Sequence, residues 1–582
     1  MYEAGWSKRE ITVKAQGHAM MGYGMWHNRA WGHATALYAR AVYLRHGTGR
    51  GLMFCLLDLG YITHAMRSGV VEHLQAVMGD AFDEAALVLT CTHTHSGPGG
   101  CSHDAMYNVV TPGFVPEHVD AIVTATVDAI TEAWRSAAAT ELTLGRGGFD
   151  EPVPVAWNRS LAAYNRNPDV TPLTDRETHL ALDRDMAVLA FSRHGQVQAL
   201  LSLFGVHATC IGNTNTRYSG DNKGHAALVA EAQLAAQGAA NPVALFAQAT
   251  AGDVSPHYQG PGDVARRSRL QGDGEHAYAE RNGRYQSTQA LDILAAGPGL
   301  AVDGGIDAVF SYLDFTARKA DPRFAQGRND AFTSEPCHGV AFFTGTRVDG
   351  PGMPQAIGIV AKKVARWVKQ NRLGHPQKQG PEDRDYYRRL YAAQGPKDIL
   401  LEAGRKQILG QPIAKLMVPG FADPLVAEMK RQAKQGAMTR SAMVPTVLPL
   451  QIVRLGPLAL VCCPGEFTTM AGRRVVQAVQ EALQPAGVTQ VLICTYCNDY
   501  MGYVTTNEEY QQQAYEGGHT IFGQWTGAAF QTEFAVLATE MCRPEAERRH
   551  DRLTRPQSAP ADELALRTRL PLPVRRTGKL PA

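Results

Sequence analysis

Ala86-Leu87-Val88-Leu89-Thr90-Cys91 runs without a break into Thr92-His93-Thr94-His95-Ser96-Gly97-Pro98-Gly99-Gly100. A mostly apolar run that stops at two histidines and a glycine-proline turn reads as a buried strand with chemistry at its end. Side chains alternate across a strand, so His93 and His95 are expected on one face, serving one site. Neutral imidazole is a common zinc ligand, and the glycines that follow let backbone amides approach a bound oxygen. Taken alone, H-x-H fits two structural histidines equally well.

Outward from this stretch the pattern repeats. Apolar runs at 51–57, 86–91, 186–191, 197–206, 242–247, 305–313, 447–454, 457–463 and 490–495 read as strands. Helical periodicity at 67–78, 117–135, 223–236, 355–370, 424–434, 469–484 and 525–541 lies between them. Interleaved strands and helices predict an α/β fold, a layered sandwich with a mixed sheet and flanking helices, whose site sits at strand ends. Segments 259–284 and 372–396 are charged and rich in Gly or Pro, and read as surface excursions bordering an entrance. Beyond Met541, arginines alternate with prolines, so a single catalytic unit is expected over 1–541 and an extended, disordered basic tail over 542–582.

A second motif, Ala251-Gly252-Asp253-Val254-Ser255-Pro256-His257, follows the apolar run 242–247. Ser255, between a glycine-bearing turn and a proline, is restrained as a nucleophile or substrate-binding hydroxyl would need; an Asp-Ser turn cap is the plainer reading. G-x-S-x-G is absent here, so an α/β-hydrolase elbow is not supported. His257 reads as an exposed loop histidine.

These two motifs resemble the neutral, non-lysosomal ceramidases, zinc amidases that split the N-acyl bond of ceramide. The likeness continues at Met20 to Trp26, Asn158-Arg159-Ser160, Phe204 to Thr209, Ser219 to Gly224, Pro464 to Arg474, Gly502 to Thr506 and Tyr515 to Gly518. By that resemblance one Zn²⁺ per chain is held by His93, His207, Glu466 and Tyr503. His95 would face the substrate and shuttle a proton to the leaving amine. Ser255 would be the nucleophile or the anchor of the scissile group, and Arg159 and Tyr515 would line the pocket and donate to the developing oxyanion. Whether water or Ser255 attacks stays open at this point. Two imidazoles with two oxygen donors suit zinc and also accept other divalent ions.

The implied activity is zinc-dependent hydrolysis of ceramide to a sphingoid base and a fatty acid. The alternatives are an amidohydrolase of another N-acyl compound, such as an N-acyl amino acid or amino lipid, and a non-catalytic lipid-binding relative. A complete metal and proton-transfer set speaks against the last. Members of the family continue into an immunoglobulin-like C-terminal domain, which this sequence is expected to lack. Thr250 and His257 stand where the family usually has asparagine.

Composition narrows the partners. Lys+Arg 57 against Asp+Glu 55 leaves no global basic field, so nucleic acid is not expected. No apolar run reaches the roughly 18 residues of a membrane span. Met1 to Gln16 lacks the apolar core of a signal peptide, which favours the cytoplasm, with a processed secreted chain as the other reading. The expected partner is a lipid-like N-acyl amide, with peripheral contact to a lipid surface through the basic tail; the oligomeric state stays open. Cys55, Cys91, Cys210, Cys462, Cys463 and Cys494 lie inside apolar runs and read as reduced core residues. Cys494-Thr495-Tyr496-Cys497 has no second C-x-x-C and reads as core too.

Overall fold

Two facing sheets organise the chain, whose computed structural model describes residues 1–109, 113–261, 270–346, 348–375, 377, 379–416 and 424–568. The larger sheet has nine strands. Its spatial order is Val243–Ala247, Gln196–Leu203, Asp185–Arg193, Ala138–Gly148, Tyr2–Glu10, Tyr38–His46, Gly51–Leu57 and Leu87–Cys91, with Leu300–Ala301 added on Ala138–Gly148. A four-stranded sheet runs Ile306–Asp314, Val447–Leu455, Leu458–Cys462 and Gln490–Cys494.

Most neighbours in both sheets are antiparallel, but three pairs are parallel: Gly51–Leu57 with Leu87–Cys91, Gln196–Leu203 with Val243–Ala247, and Leu458–Cys462 with Gln490–Cys494. A helix crosses over within each, respectively His64–Met78, Asp221–Ala236 and Thr469–Leu483, as parallel neighbours require. Thr63 and Thr468 cap the first and third of these helices with their side-chain oxygens.

Hydrophobic patterning stacks the layers. Val42, Leu44, Phe54, Leu189 and Leu201 of the large sheet pack on Val453, Leu455, Leu460 and Leu492 of the small one. On the outer face of the large sheet, Met66, Val70, Ile122 and Ile130 cover Ala41, Met53 and Leu89. Farther along that sheet, Ala227, Leu234 and Ile293 cover Val188, Leu200 and Phe246. Val475, Val479, Phe530 and Leu537 cover Leu450, Ile452 and Val461 of the small sheet. The order is helix, sheet, sheet, helix. Each fully buried aliphatic side chain contributes roughly 1.5–3 kcal/mol, so the sheet–sheet interface far outweighs any surface ion pair.

The mixed α/β reading holds, and several local expectations change. Tyr2–Glu10, Tyr38–His46 and Ala138–Gly148 are strands that no apolar run marks. The first and third carry polar residues between the buried ones, and Arg40 interrupts the second. Arg40 is buried and bonded to Asp58 (2.8 Å) and Glu231 (2.9 Å). The two surface excursions contain helices. Asp273–Ala295 buries Tyr278, Ala279 and Asn282, and Pro381–Gln394 buries Tyr387, Leu390 and Tyr391; residues 262–269 of the first excursion lie outside the described set.

The described part of the tail also departs from the extended reading. Ala561–Arg567 is helical, and buried Arg567 donates to the His103 carbonyl (2.9 Å) and to Ser441 Oγ (2.9 Å). Residues 569–582 lie outside the described set. All ten cysteines are free thiols, and every one except the half-buried Cys542 is buried. Among the described residues no helix is long and apolar enough to cross a membrane.

Candidate metal centre and active site

The site lies beyond the carboxyl ends of the parallel strands. His93 and His95 follow Leu87–Cys91, His207 follows Gln196–Leu203, Ser255 follows Val243–Ala247, Glu466 follows Leu458–Cys462, and Tyr503 follows Gln490–Cys494. Short pairings then draw these loops together. Thr94 bridges Ala208, Trp157 pairs with Ser255, and Glu466 pairs with Tyr503. The amides of His207, Arg159 and Gly252 donate to the carbonyls of Val254, Asp253 and Phe467 at 3.0, 2.9 and 2.9 Å. Gly252 is required there, because a Cβ would stand 2.8 Å from the Glu466 carbonyl oxygen.

The two histidines of the H-x-H pair do converge, though not by alternation along a strand. The strand stops at Cys91, and His93 has a φ of 62°. That left-handed residue turns the chain so that the Nε2 atoms of His93 and His95 lie 3.1 Å apart. Gly22, with a φ of +130°, makes room for the second ring, since a Cβ would meet His95 Cγ at 2.3 Å. The Tyr23 ring packs edge-on to His95 at 4.7 Å.

Ligand atoms of His93, His207 and Glu466 all lie within 4.8 Å of one another, and all three residues are buried. Glu466 Oε2 is 3.4 Å from His93 Nε2 and 3.0 Å from His207 Nε2. On their far sides, His93 Nδ1 is 2.6 Å from the Gly60 carbonyl and His207 Nδ1 is 3.0 Å from that of Val254. Each Nδ1 therefore donates, which leaves both Nε2 lone pairs aimed inward beside a carboxylate. Burial and the Arg159 charge lower His207, so its imidazole is neutral. Two inward lone pairs and a carboxylate are a cation's donor set, and the group fits a metal ion. The Tyr503 hydroxyl lies beside this group, 3.2 Å from His207 Nε2.

A second layer orients these groups. Arg159 Nη2 donates to Tyr503 Oη (3.0 Å) and to the Gly252 carbonyl (2.9 Å), Nε to Glu516 (2.9 Å), and Nη1 to Asp349 Oδ2 (2.8 Å). Ser255 Oγ donates to Asp349 Oδ1 at 2.9 Å, as does Thr209 Oγ1 at 3.2 Å. Burial would raise Asp349, yet Arg159 outweighs it and holds the carboxyl far below the usual range. The half-buried Tyr515 packs edge-on to Tyr503 at 5.4 Å, with the Arg159 guanidinium 5.5 Å over its ring. Burial holds His95 well below its ordinary value, hence neutral.

The structure thus brings together all eight residues singled out from the sequence. His257 differs from expectation: it is buried, its Nε2 2.7 Å from the Thr209 carbonyl. Three residues were missed. Asp349 sits in a glycine-rich turn where a lone Asp looks like any turn cap. Tyr496 and Tyr500 flank the C-x-x-C end and donate to Glu466 Oε2 (3.3 Å) and Oε1 (2.5 Å). Tyr496 also stacks on His93 at 4.2 Å. A pair of tyrosines spaced i, i+4 after a strand was their only signal.

The sequence profile described as "Neutral/alkaline non-lysosomal ceramidase, N-terminal" matches residues 2–418 and 428–532. The chain is 32% identical over 545 residues to the neutral ceramidase of Pseudomonas aeruginosa, covering 93% of this chain and 72% of that one. It is 30% identical over 575 residues to the neutral ceramidase of Mycobacterium tuberculosis, covering 97% and 81%. A solved structure of ceramidase complexed with C2 superposes with a TM-score of 0.75 at 32% identity, over 93% of this chain and 75% of that one.

Proposed function

We propose that this chain, which belongs to the neutral/alkaline non-lysosomal ceramidase family, hydrolyses the N-acyl amide of ceramide to a sphingoid base and a fatty acid, using one zinc ion held by His93, His207, Glu466 and Tyr503. The convergence of three buried ligand atoms within 4.8 Å carries the reading. When bound there, the ion supplies Lewis-acid polarisation of the scissile carbonyl.

The chain's own groups do the rest. Asp349 fixes the Ser255 hydroxyl by accepting its 2.9 Å hydrogen bond at Oδ1. The same carboxylate also accepts from Arg159 Nη1 at 2.8 Å and Thr209 Oγ1 at 3.2 Å, so it is committed to holding these groups in place. Ser255 therefore acts as anchor of the scissile group, and water makes the attack. His95, kept neutral, takes the proton of that water at Nε2 and returns it to the amide nitrogen as the carbon–nitrogen bond breaks, leaving a carboxylic acid and a free amine. Tyr515, half-buried at the rim, donates to the oxyanion. Arg159 has its donors committed to Glu516, Asp349, Gly252 and Tyr503, so it organises the site.

The test is release of fatty acid from a short-chain fluorescent ceramide, with chelator and then zinc added back. Chelator-sensitive, zinc-restored cleavage is the expected result. Absence of cleavage with zinc demonstrably bound would refute ceramide as substrate and turn the search to other N-acyl amides.

A further inference from the structure

The helix Gln355–Gly374 buries Gly358, Ala361, Ala365 and Val368, with Ala361 packed among Val340 and Leu400. Its other faces are unusual. Ile357, Val360 and Trp367 are 55%, 60% and 64% exposed. With the half-buried Val364 between them, they recur at i, i+3, i+7 and i+10, which is one continuous stripe along the helix. Ile359, 58% exposed, lies off the stripe, on the face that carries Lys363 and Arg366. Scattered exposed apolar residues need no explanation, whereas a contiguous stripe of them marks a contact surface.

Charge points to what this surface meets. The helix has no acidic residue and carries Lys362, Lys363, Arg366, Lys369 and Arg372. Arg366 and Arg372 are bonded to Asp398 and Glu402, and Lys369 donates to the Gly395 carbonyl. Lys362 and Lys363 make no ion pair among the described residues. An amphipathic helix with an exposed aromatic and unneutralised lysines suits the border between acyl chains and anionic head groups.

Position adds the third observation. Just before the helix, the amides of Gly352 and Met353 donate to the carbonyls of Thr344 and Phe343 at 3.1 and 2.6 Å. Between those donors and acceptors lies the turn carrying Asp349, and the neighbouring Phe342 ring lies 5.4 Å from that of Tyr515. The stripe and the site are thus two ends of one short segment.

We propose that Gln355–Gly374 docks on a lipid surface, with Ile357, Val360, Val364 and Trp367 at the acyl-chain border and Lys363, which flanks the stripe, on anionic head groups. A lipid amide then reaches the site from the membrane. This rests on the lipid-substrate reading above. The experiment is co-sedimentation of the full chain with vesicles of phosphatidylcholine, alone or mixed with phosphatidylserine, for wild type and for the variant Ile357→Ser/Val360→Ser/Trp367→Ser. Wild type is expected to bind mixed vesicles more tightly, and the variant to lose roughly tenfold or more in partitioning. Both should cleave a dispersed short-chain ceramide at one rate while the variant fails on vesicle-embedded ceramide. Equal partitioning of the two proteins, or no wild-type binding to either vesicle, overturns the proposal. A wild-type dimer that the variant converts to monomer also overturns it, assigning the stripe to a second copy. Wild type that binds vesicles but cleaves neither ceramide upholds the surface and refutes the substrate.

Discussion

Asp349→Asn isolates one charge at the centre of the site. The carboxylate accepts from Ser255 Oγ at 2.9 Å, Thr209 Oγ1 at 3.2 Å and Arg159 Nη1 at 2.8 Å. Asparagine keeps the shape and one acceptor oxygen while removing the charge. Breaking a buried pair outright costs about 3–5 kcal/mol, but Arg159 keeps Glu516 at 2.9 Å, so a loss of roughly 2–3 kcal/mol is expected. With about 2.1 cal/mol/K of unfolding entropy per residue over 582 residues, each kcal/mol moves the melting midpoint by about 1 °C. The midpoint should therefore fall by about 2–3 °C, leaving the variant folded at the assay temperature.

The kinetic effect should be larger. A hydroxyl that loses a charge-assisted acceptor loses about 1.5–3 kcal/mol of positioning, which is about ten- to a hundredfold in kcat. KM for short-chain fluorescent ceramide should change by less than about threefold, because the lost interaction orients the reacting group and does not hold the acyl chain. Bound zinc should stay at wild-type stoichiometry, since Asp349 is not among the donor atoms. A folded, zinc-loaded Asp349→Asn protein with wild-type kcat would refute the positioning argument.

Other outcomes follow from the same geometry. His207→Ala should lose metal and activity together, whereas Ser255→Ala should keep metal and lose turnover; full metal content in His207→Ala would sink the ligand assignment. Tyr500→Phe removes the 2.5 Å bond to Glu466 Oε1, and chelator competition should show about 10–100-fold weaker zinc binding. Burial, then the Asp253 charge, push the Glu509 carboxyl from 4.5 up to about 7. The folded chain then holds a proton that the unfolded chain releases, so this group's stabilisation is full below about pH 4.5 and lost as pH rises through 7. Glu509→Gln should flatten urea-midpoint loss between about pH 5 and pH 8, and an unchanged slope would reject that origin.

Residues were legible in the sequence where they coincide with a change of pattern. His93 lies just past one apolar run and before a glycine-bearing turn, and Ser255 follows another run through the turn at Gly252, so strand and chemistry announce each other. Strands without such a run were silent: Tyr38–His46 buries Arg40, whose charge is matched only by Asp58 and Glu231, residues far off in sequence. The helix Pro381–Gln394 was hidden by its charged face, although Tyr387, Leu390 and Tyr391 keep helical spacing. Asp349 was hidden for a different reason. Its partners Arg159, Thr209 and Ser255 come from three other loops, and no local pattern encodes an acceptor whose donors are supplied by tertiary structure.

His93 and His207 meet across an unlikely distance in the topology. His93 follows Leu87–Cys91, one edge of the large sheet, and His207 follows Gln196–Leu203, next to the opposite edge. Their loops pair directly, Thr94 with Ala208, so the sheet must curl until its two ends approach. The joint is visible: Tyr2–Glu10 pairs along its whole length with Tyr38–His46 but only through Tyr2 to Ala4 with Ala138–Gly148. Such a short seam lets the two halves rotate as one continuous sheet could not. Glu231, on the helix over one half, takes Arg40 and Lys8 from the other half at 2.9 and 2.6 Å and locks the curl. A metal site assembled across that seam exists only when the curl is complete, so metal affinity would measure closure of the whole sandwich as well as the chemistry of the donor side chains.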